Sequence, residues 1–218
     1  MSDFAALRRT MVETQLRTNR VTDERVLRAM GEIPREEFVP PAMAGLAYID
    51  EDIDVGNGRY LLEPMVFARM VQAAEITEDD FVLNIACGTG YPAMVLGRLA
   101  GAVVALESDA ESAQAAAKHL SDASQDNVVV EVGPLARGWP QQAPYDVVIF
   151  SGGVEEIPEA IVSQLAEGGR LCAVTRRGIG NGSVKLMVKA GGVVSSRTLF
   201  DASTPVIAEF ELEKGFTF

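Results

Sequence analysis

The sequence has few cysteines, a single histidine and no long apolar run. Cys87 and Cys172 are the two cysteines among 218 residues, too few and too far apart to predict a disulfide framework, so a reducing compartment is expected. His119 is assigned no role, and no metal site is predicted. No apolar run approaches the roughly 18 residues that a membrane helix requires, and no basic-then-apolar leader opens the chain. These features predict a cytoplasmic protein.

Basic residues are also scarce, since 19 Lys and Arg stand against 31 Asp and Glu, for a formal net charge of −12. This charge opposes a broad phosphate-binding surface, so neither nucleic acid nor an anionic membrane is expected as a partner. With 48% hydrophobic residues, the chain can bury one full core. We predict one compact unit and favour a monomer.

The N-terminal part, residues 1–63, is expected to form a helical segment and a substrate-side loop. Apolar residues recur at helical spacing over residues 3 to about 17, which predicts a surface helix. Thr22 can cap a second helix that stops at Gly31. From Pro40 to Pro64 the periodicity fades, which predicts a long ordered loop or a mobile lid.

The remaining residues, 64–218, alternate between strand and helix patterns after an initial helix that follows Pro64. Strands are predicted at 81–86, 103–107, 127–132, Tyr145–Phe150 and Arg170–Thr175. Helices are predicted at 91–100, 109–121 and Pro158–Leu165. Residues 184–190 and 206–213 are expected to form a closing antiparallel pair. The alternation predicts an α/β, Rossmann-like fold with about seven mostly parallel strands.

A glycine-rich bend is the most informative local feature. A buried strand runs into Gly88 and Gly90, and the next strand ends at Glu107, 19 positions after Gly88. Glycines at such a bend let backbone N–H groups and a helix N-terminus approach a ligand. An acid at the end of the second strand can accept hydrogen bonds from two ribose hydroxyls. The pattern predicts a ligand that contains adenosine, bound where Gly133 and Ser151 also lie at strand ends.

The bend alone does not distinguish a nicotinamide enzyme from a methyltransferase. None of the four tyrosines has a lysine four positions later, and no second substrate domain is visible, which disfavours hydride transfer. Methyl transfer from S-adenosylmethionine makes few demands for acid or base groups, because the donor is already an activated sulfonium. A chain with one histidine suits that chemistry.

The sequence resembles the protein-L-isoaspartate O-methyltransferases from about Met11 to Gly178. The N-terminal part carries much of the likeness, at Met11-Val12, Gln15-Leu16, Pro34-Arg35-Glu36, Phe38-Val39-Pro40 and Ala47-Tyr48. Further matches include Gly138-Trp139-Pro140, Ala143-Pro144-Tyr145-Asp146 and Gly168-Gly169. The resemblance implies methyl transfer from S-adenosylmethionine to the side-chain carboxylate of isoaspartyl residues in damaged proteins. The resulting ester collapses to a succinimide, which is repair chemistry.

The resemblance and the strand ends together predict the residues that bind this cofactor. They are Ala86, Cys87, Gly88, Gly90, Glu107, Ser108, Gly133, Pro134, Leu135 and Ser151. The family's adenine-binding acid is replaced by Pro134, whose side chain has no acceptor. The loss of one ligand hydrogen bond weakens binding by roughly ten- to a hundredfold.

The loop carries the most serious departure from the family. Leu62 takes the place of a Ser or Thr hydroxyl that is thought to assist at the reacting centre, so the catalytic residue is left unassigned. Arg59 or Tyr60 can donate to a carboxylate in its place, or both simply pack. We therefore expect weakened or altered activity. Two alternatives stay open, a methyltransferase with a different acceptor and a non-catalytic member that binds the cofactor or a protein partner.

Overall fold

The computed structural model describes residues 3–178 and 180–212. Its helices are α1 Phe4–Met11, α2 Glu24–Glu32, α3 Pro64–Ala73, α4 Tyr91–Gly97, α5 Ala110–Asp122 and α6 Glu159–Val162. Its strands are β1 Ile53–Gly56, β2 Arg59–Leu61, β3 Phe81–Ile85, β4 Ala102–Glu107, β5 Val128–Val132, β6 Tyr145–Val154, β7 Leu165–Thr175, β8 Ser183–Ala190 and β9 Val193–Asp201. Among the described residues, no helix combines the length and apolar character needed to cross a membrane.

The main sheet has seven strands in the order β5-β4-β3-β6-β7-β8-β9. Strands β3 to β7 pair in parallel, and β8 and β9 add an antiparallel edge. The predicted α/β, Rossmann-like fold is confirmed. From β3 the chain adds β4 and β5 on one side and then returns to add β6 on the other. The carboxyl ends of β3 and β6 therefore flank a topological switch point, where open sheets of this kind bind their ligands.

The N-terminal helices pack on this sheet through one apolar core. Met11, Leu16 and Met30 are buried in the same cluster as Phe67 of α3. The helix predicted over residues 3–17 is present as α1, continued by a π-helical turn over Val12–Leu16. Helix α2 is capped by Asp23, whose carboxylate accepts from the backbone N–H of Arg25 at 2.9 Å, so the predicted cap at Thr22 was wrong by one residue.

The loop expected between Pro40 and Pro64 contains regular structure. A 3₁₀ helix covers Pro41–Leu46, and β1 and β2 form a separate antiparallel hairpin. The hairpin was missed because β2, with three residues, is too short to show an alternating pattern of apolar and polar residues. Only the glycines of its turn, Gly56 and Gly58, mark it in the sequence.

The predicted partner of β8 was wrong. Strand β8 pairs with β9, whose side chains are mostly polar and exposed, so that its alternation of apolar and polar residues is weak. Residues 206–212, by contrast, contribute one bridge, between Val206 and Gly153, and a 3₁₀ turn over Ala208–Phe210. Residue 213 lies outside the described residues.

Four elements differ by three or more residues from the prediction. Strand β7 begins five residues earlier, at Leu165, and α4 ends three residues earlier, at Gly97. Strand β6 continues through Ser151, Gly152 and Gly153 to Val154, and α6 is confined to four residues. Gly152 and Gly153 have no side chains, which leaves room for the segment that packs against β6 beyond Phe150.

Candidate active site

The glycine bend after β3 is held by backbone geometry that few side chains tolerate. Ala86, Gly88 and Gly90 have φ angles of 59°, 54° and 101°, in the left-handed region that favours glycine. At Gly90 a Cβ would also lie 3.0 Å from the Cα of Ala116 in α5, so this glycine permits close packing of that helix. The bend therefore turns the chain directly from β3 into α4, and the backbone N–H of Gly88 faces the end of β4.

The Glu107 carboxylate at the end of β4 receives that N–H group. Glu107 is fully buried, and its Oε2 accepts from the Gly88 backbone at 2.9 Å. Its Oε1 accepts from the backbone N–H groups of Ser108 at 2.7 Å and Asp109 at 3.1 Å. Three backbone donors thus fix the carboxylate at the place where the sequence predicts a ribose.

Arg59 of β2 occupies the remaining face of this carboxylate. Its Nε lies 3.0 and 3.2 Å from the two oxygens of Glu107, and its Nη2 lies 2.9 Å from Oε1. The same Nη2 also donates to Ser108 Oγ at 2.7 Å and to Glu209 at 2.9 Å. The Arg59 side chain is 4% exposed. Burial lowers the pKa of Arg59, but its hydrogen bonds to the two glutamates outweigh burial and raise that pKa overall.

Residues 204–210, which we call the closing segment, lie against the carboxyl end of β6. The backbone N–H of Gly153 donates to the carbonyl of Pro205 at 3.1 Å, and that of Ile207 donates back to Gly153 at 2.9 Å. The ring of Phe210 contacts that of Phe150 edge to face, with centroids 5.4 Å apart. The closing segment is therefore paired with β6 and packed against it.

The closing segment also fills space at the switch point. Ile207 and Phe210 are buried in the same apolar cluster as Ala86 after β3, Leu106 of β4 and Leu135 of the 3₁₀ turn that follows β5. A Cβ at Gly152 would lie 2.6 Å from Cδ1 of Ile207. The crevice between β3 and β6 is therefore lined by side chains of this segment as well as by the sheet.

The other residues predicted to bind a cofactor lie around the same edge. Ser151 is buried and accepts from the side-chain amide of Asn84 at 2.7 Å. Burial raises the pKa of the Cys87 thiol, so the thiol stays protonated and unreactive, as is typical of a core cysteine. Gly133 packs beneath Trp139, where a Cβ would lie 2.9 Å from the ring, and Pro134 is exposed at the surface. The structure brings Gly88, Glu107 and Ser108 into direct contact, whereas Pro134 points to solvent.

Leu62 is a core residue in this structure. It is 2% exposed, and its carbonyl accepts from Nη2 of the fully buried Arg35 at 2.6 Å. Tyr60 is half-buried on the opposite face of β2 from Arg59. Of the two residues predicted to replace the missing hydroxyl, Arg59 is therefore engaged with Glu107, and Tyr60 is directed elsewhere.

Two acidic groups near β2 were missed from sequence. Glu63 has its pKa raised to about 7, first by burial and then by the charges of Asp50, Asp52 and Glu51. The run of acids over 50–54 was visible, but nothing in it placed Glu63 beside it. Glu209 is one of several acids in the C-terminal part of the chain, and no local pattern connects it with Arg59, 150 residues away.

In this arrangement Arg59 competes with an adenosyl group for the Glu107 carboxylate. A carboxylate offers about four lone-pair sites, and Glu107 already accepts from three backbone N–H groups and two N–H groups of Arg59. Four of these donors reach Oε1, and Oε2 accepts from Gly88 and, at 3.2 Å, from Nε of Arg59, so ribose hydroxyls would compete with Arg59. The Arg59 guanidinium therefore fills the position predicted for a ribose.

Comparison with known proteins identifies close relatives. The family model described as protein-L-isoaspartate(D-aspartate) O-methyltransferase matches residues 7–202. A protein-L-isoaspartate O-methyltransferase of Koribacter versatilis is 42% identical over 171 residues, which cover 78% of this chain and 77% of the relative. One of Methanoculleus marisnigri is 36% identical over 203 residues and covers 93% and 92% of the two chains.

Solved structures give the same picture of the fold. A protein-L-isoaspartate O-methyltransferase superimposes with a TM-score of 0.79 at 25% identity, over 91% of this chain and 65% of that one. A Plasmodium falciparum protein in complex with S-adenosyl-L-homocysteine also reaches a TM-score of 0.79, over 96% of this chain and 100% of that one. At 16% identity the second comparison bears on the fold alone.

Proposed function

Because the chain belongs to the protein-L-isoaspartate(D-aspartate) O-methyltransferase family, we propose that it methylates isoaspartyl residues of damaged proteins, with S-adenosyl-L-methionine as the methyl donor. The observation that carries this proposal is the extent of the family match, residues 7–202. It spans the N-terminal helices as well as the sheet, and a shared nucleotide-binding sheet alone would match only the latter.

The acceptor chemistry asks little of this chain. An isoaspartyl carboxylate is ionised at neutral pH and is already a nucleophile, so the reaction needs alignment and exclusion of water rather than a general base. The absence of a hydroxyl at Leu62 therefore lowers the rate of methyl transfer but does not remove the nucleophile, which the substrate supplies. Removal of one transition-state donor costs on the order of 10²–10³ in rate.

The filled ribose position is the main obstacle to this function. Arg59 has to leave Glu107 before that carboxylate can accept from a ribose. We therefore expect slower turnover or weaker cofactor binding than in a variant of this chain without Arg59.

Our further proposals concern partners and compartment. Damaged proteins and peptides are the proposed substrates, and a cytoplasmic monomer is the proposed state. The net charge of −12 supports the proposal that nucleic acid and anionic membranes are not partners. The division into residues 1–63 and 64–218 stays a prediction.

Labelled methyl transfer to an isoaspartyl peptide, beside its normal aspartyl twin, tests the activity. We expect label in the isoaspartyl peptide and background in the twin. Binding of S-adenosyl-L-homocysteine without transfer to either peptide would favour a different acceptor. If the chain shows no binding at millimolar S-adenosyl-L-homocysteine and no methyl transfer, the enzymatic proposal is overturned. The chain would then be a non-catalytic member of the family.

A further inference from the structure

The guanidinium of Arg59 takes the place of a ligand on Glu107. We propose that Arg59 is an autoinhibitory residue, which keeps the ribose position closed and must be displaced before an adenosyl ligand binds. This inference deepens the proposed function and depends on it, because it concerns access to the same cofactor site.

Arg59 donates to the Glu107 carboxylate from outside the bend and β4, as a ribose would. Five N–H groups converge on the Glu107 carboxylate, and the two from Arg59 are the ones that do not belong to the bend or the end of β4. Removal of Arg59 from the carboxylate would leave three backbone donors in place and free one face. That face is the one a ribose diol would approach, since the other directions are covered by Gly88, Ser108 and Asp109.

Arg59 is carried by a hairpin outside the main sheet. The β1–β2 hairpin is a two-stranded sheet of its own, and Ile53 and Leu61 anchor it in the apolar core. Its turn, Gly56, Asn57 and Gly58, has positive φ at all three residues and is exposed. A hydrogen bond of 2.8 Å from the Asn57 side chain to Asp109 ties this turn to the site.

Glu209 gives the displaced guanidinium a second partner. Its carboxylate is 35% exposed, against 0% for Glu107, and it binds the same Nη2 of Arg59 at 2.9 Å. Arg59 can therefore leave the buried acid and keep an ion pair at the surface. Because Glu209 belongs to the closing segment, the same contact couples Arg59 to the segment that covers the end of β6.

A site that is open for only a fraction of the time binds its ligand more weakly by that fraction. The proposal therefore predicts that Arg59→Ala binds S-adenosyl-L-homocysteine at least about tenfold more tightly than the parent chain. Isothermal titration calorimetry of the full chain measures this directly. Arg197→Ala, an exposed arginine on β9, is the matched control and should bind like the parent. Equal or weaker binding by a folded Arg59→Ala variant would overturn the proposal.

Glu209→Gln provides a second test, which does not require removal of a buried charge partner. It leaves Arg59 with Glu107 but removes the surface acid that anchors the closing segment to it. Because the displaced guanidinium then loses its second partner, we expect S-adenosyl-L-homocysteine to bind several-fold more weakly than to the parent, whereas Glu211→Gln removes the same charge two residues further along and should change nothing. If Arg59→Ala does not fold, identical affinities for Glu209→Gln and Glu211→Gln overturn the proposal.

The proposal and the proposed function fail in different ways. If the parent and Arg59→Ala bind S-adenosyl-L-homocysteine equally well and both methylate the peptide, the autoinhibitory role is wrong and the function stands. If Arg59→Ala binds more tightly but transfers no methyl group to any isoaspartyl peptide, the autoinhibitory role stands and the function is wrong.

Discussion

The Arg59–Glu107 pair should show an unequal response when either partner is removed. Arg59→Ala leaves Glu107 with its three backbone N–H donors, from Gly88, Ser108 and Asp109. Glu107→Ala leaves Arg59 with a partner, Glu209, but deprives those three backbone groups of their acceptor. We therefore expect Glu107→Ala to destabilise the protein more than Arg59→Ala does.

The structure gives rough magnitudes for both changes. Removal of one partner of a buried ion pair costs about 3–5 kcal/mol, and the remaining backbone donors around Glu107 place Arg59→Ala near the lower value, about 3 kcal/mol. Each buried N–H left without an acceptor adds about 1–3 kcal/mol. Since Gly88 is buried, Glu107→Ala should cost at least about 1 kcal/mol more than Arg59→Ala.

Urea unfolding followed by the fluorescence of Trp139, the single tryptophan, measures these free energies. The double variant should lose less stability than the sum of the single losses, by up to about 3 kcal/mol. Arg177→Ala, which breaks an exposed ion pair with Glu156, is the control and should stay within about 0.5 kcal/mol of the parent. A larger loss for Arg59→Ala than for Glu107→Ala, or strictly additive losses, would refute this reasoning.

Three further predictions follow from the site and its surroundings. Gly153→Ala would place a Cβ 2.8 Å from a backbone oxygen of the closing segment, so it should destabilise the protein by about 1–3 kcal/mol in thermal unfolding. In the control Gly45→Ala the new Cβ meets nothing within 4 Å, and the stability should be unchanged. Glu63 has a pKa raised to about 7 from 4.5, so the folded state holds the extra proton and stability falls as pH rises between those values. Glu63→Gln should remove about 1 kcal/mol of that decline, after allowance for partial exposure, and an unchanged pH profile of the melting temperature would contradict this. Leu62→Ser puts a hydroxyl into the apolar core and should cost about 2–4 kcal/mol in urea unfolding, while the same change at Leu46, which is 44% exposed, should cost little.

Strands β3 and β4 could be predicted from sequence because they are buried on both faces, and the edge strand β5 because it carries a run of valines. Residues 81–86, 103–107 and 127–132 are apolar runs with helical patterns between them, and the strands found there agree with the predicted bounds to within one residue. Strand β9 lacked this signal, because it lies at the edge of the sheet and carries mainly polar side chains. Both β5 and β9 are edge strands, and the run Val128–Val130 made β5 visible in the sequence, whereas the polar residues of β9 hid it.

The bend and its acid could be placed from sequence, but their partners could not. Gly88 and Glu107 are related by a strand, a helix and a strand, a spacing that the fold fixes. The contact between Arg59 and Glu107 joins residues 48 positions apart, and the contact between Arg59 and Glu209 joins residues 150 positions apart. Both depend on how the hairpin and the closing segment pack, which no local pattern encodes. The roles proposed for these residues therefore stay predictions until ligand binding is measured.

A crystal structure of the chain with S-adenosyl-L-homocysteine tests the central claim most directly. Our account predicts the ribose hydroxyls on the Glu107 carboxylate and the Arg59 guanidinium moved away from it. A bound nucleoside beside an unbroken Arg59–Glu107 contact would contradict it.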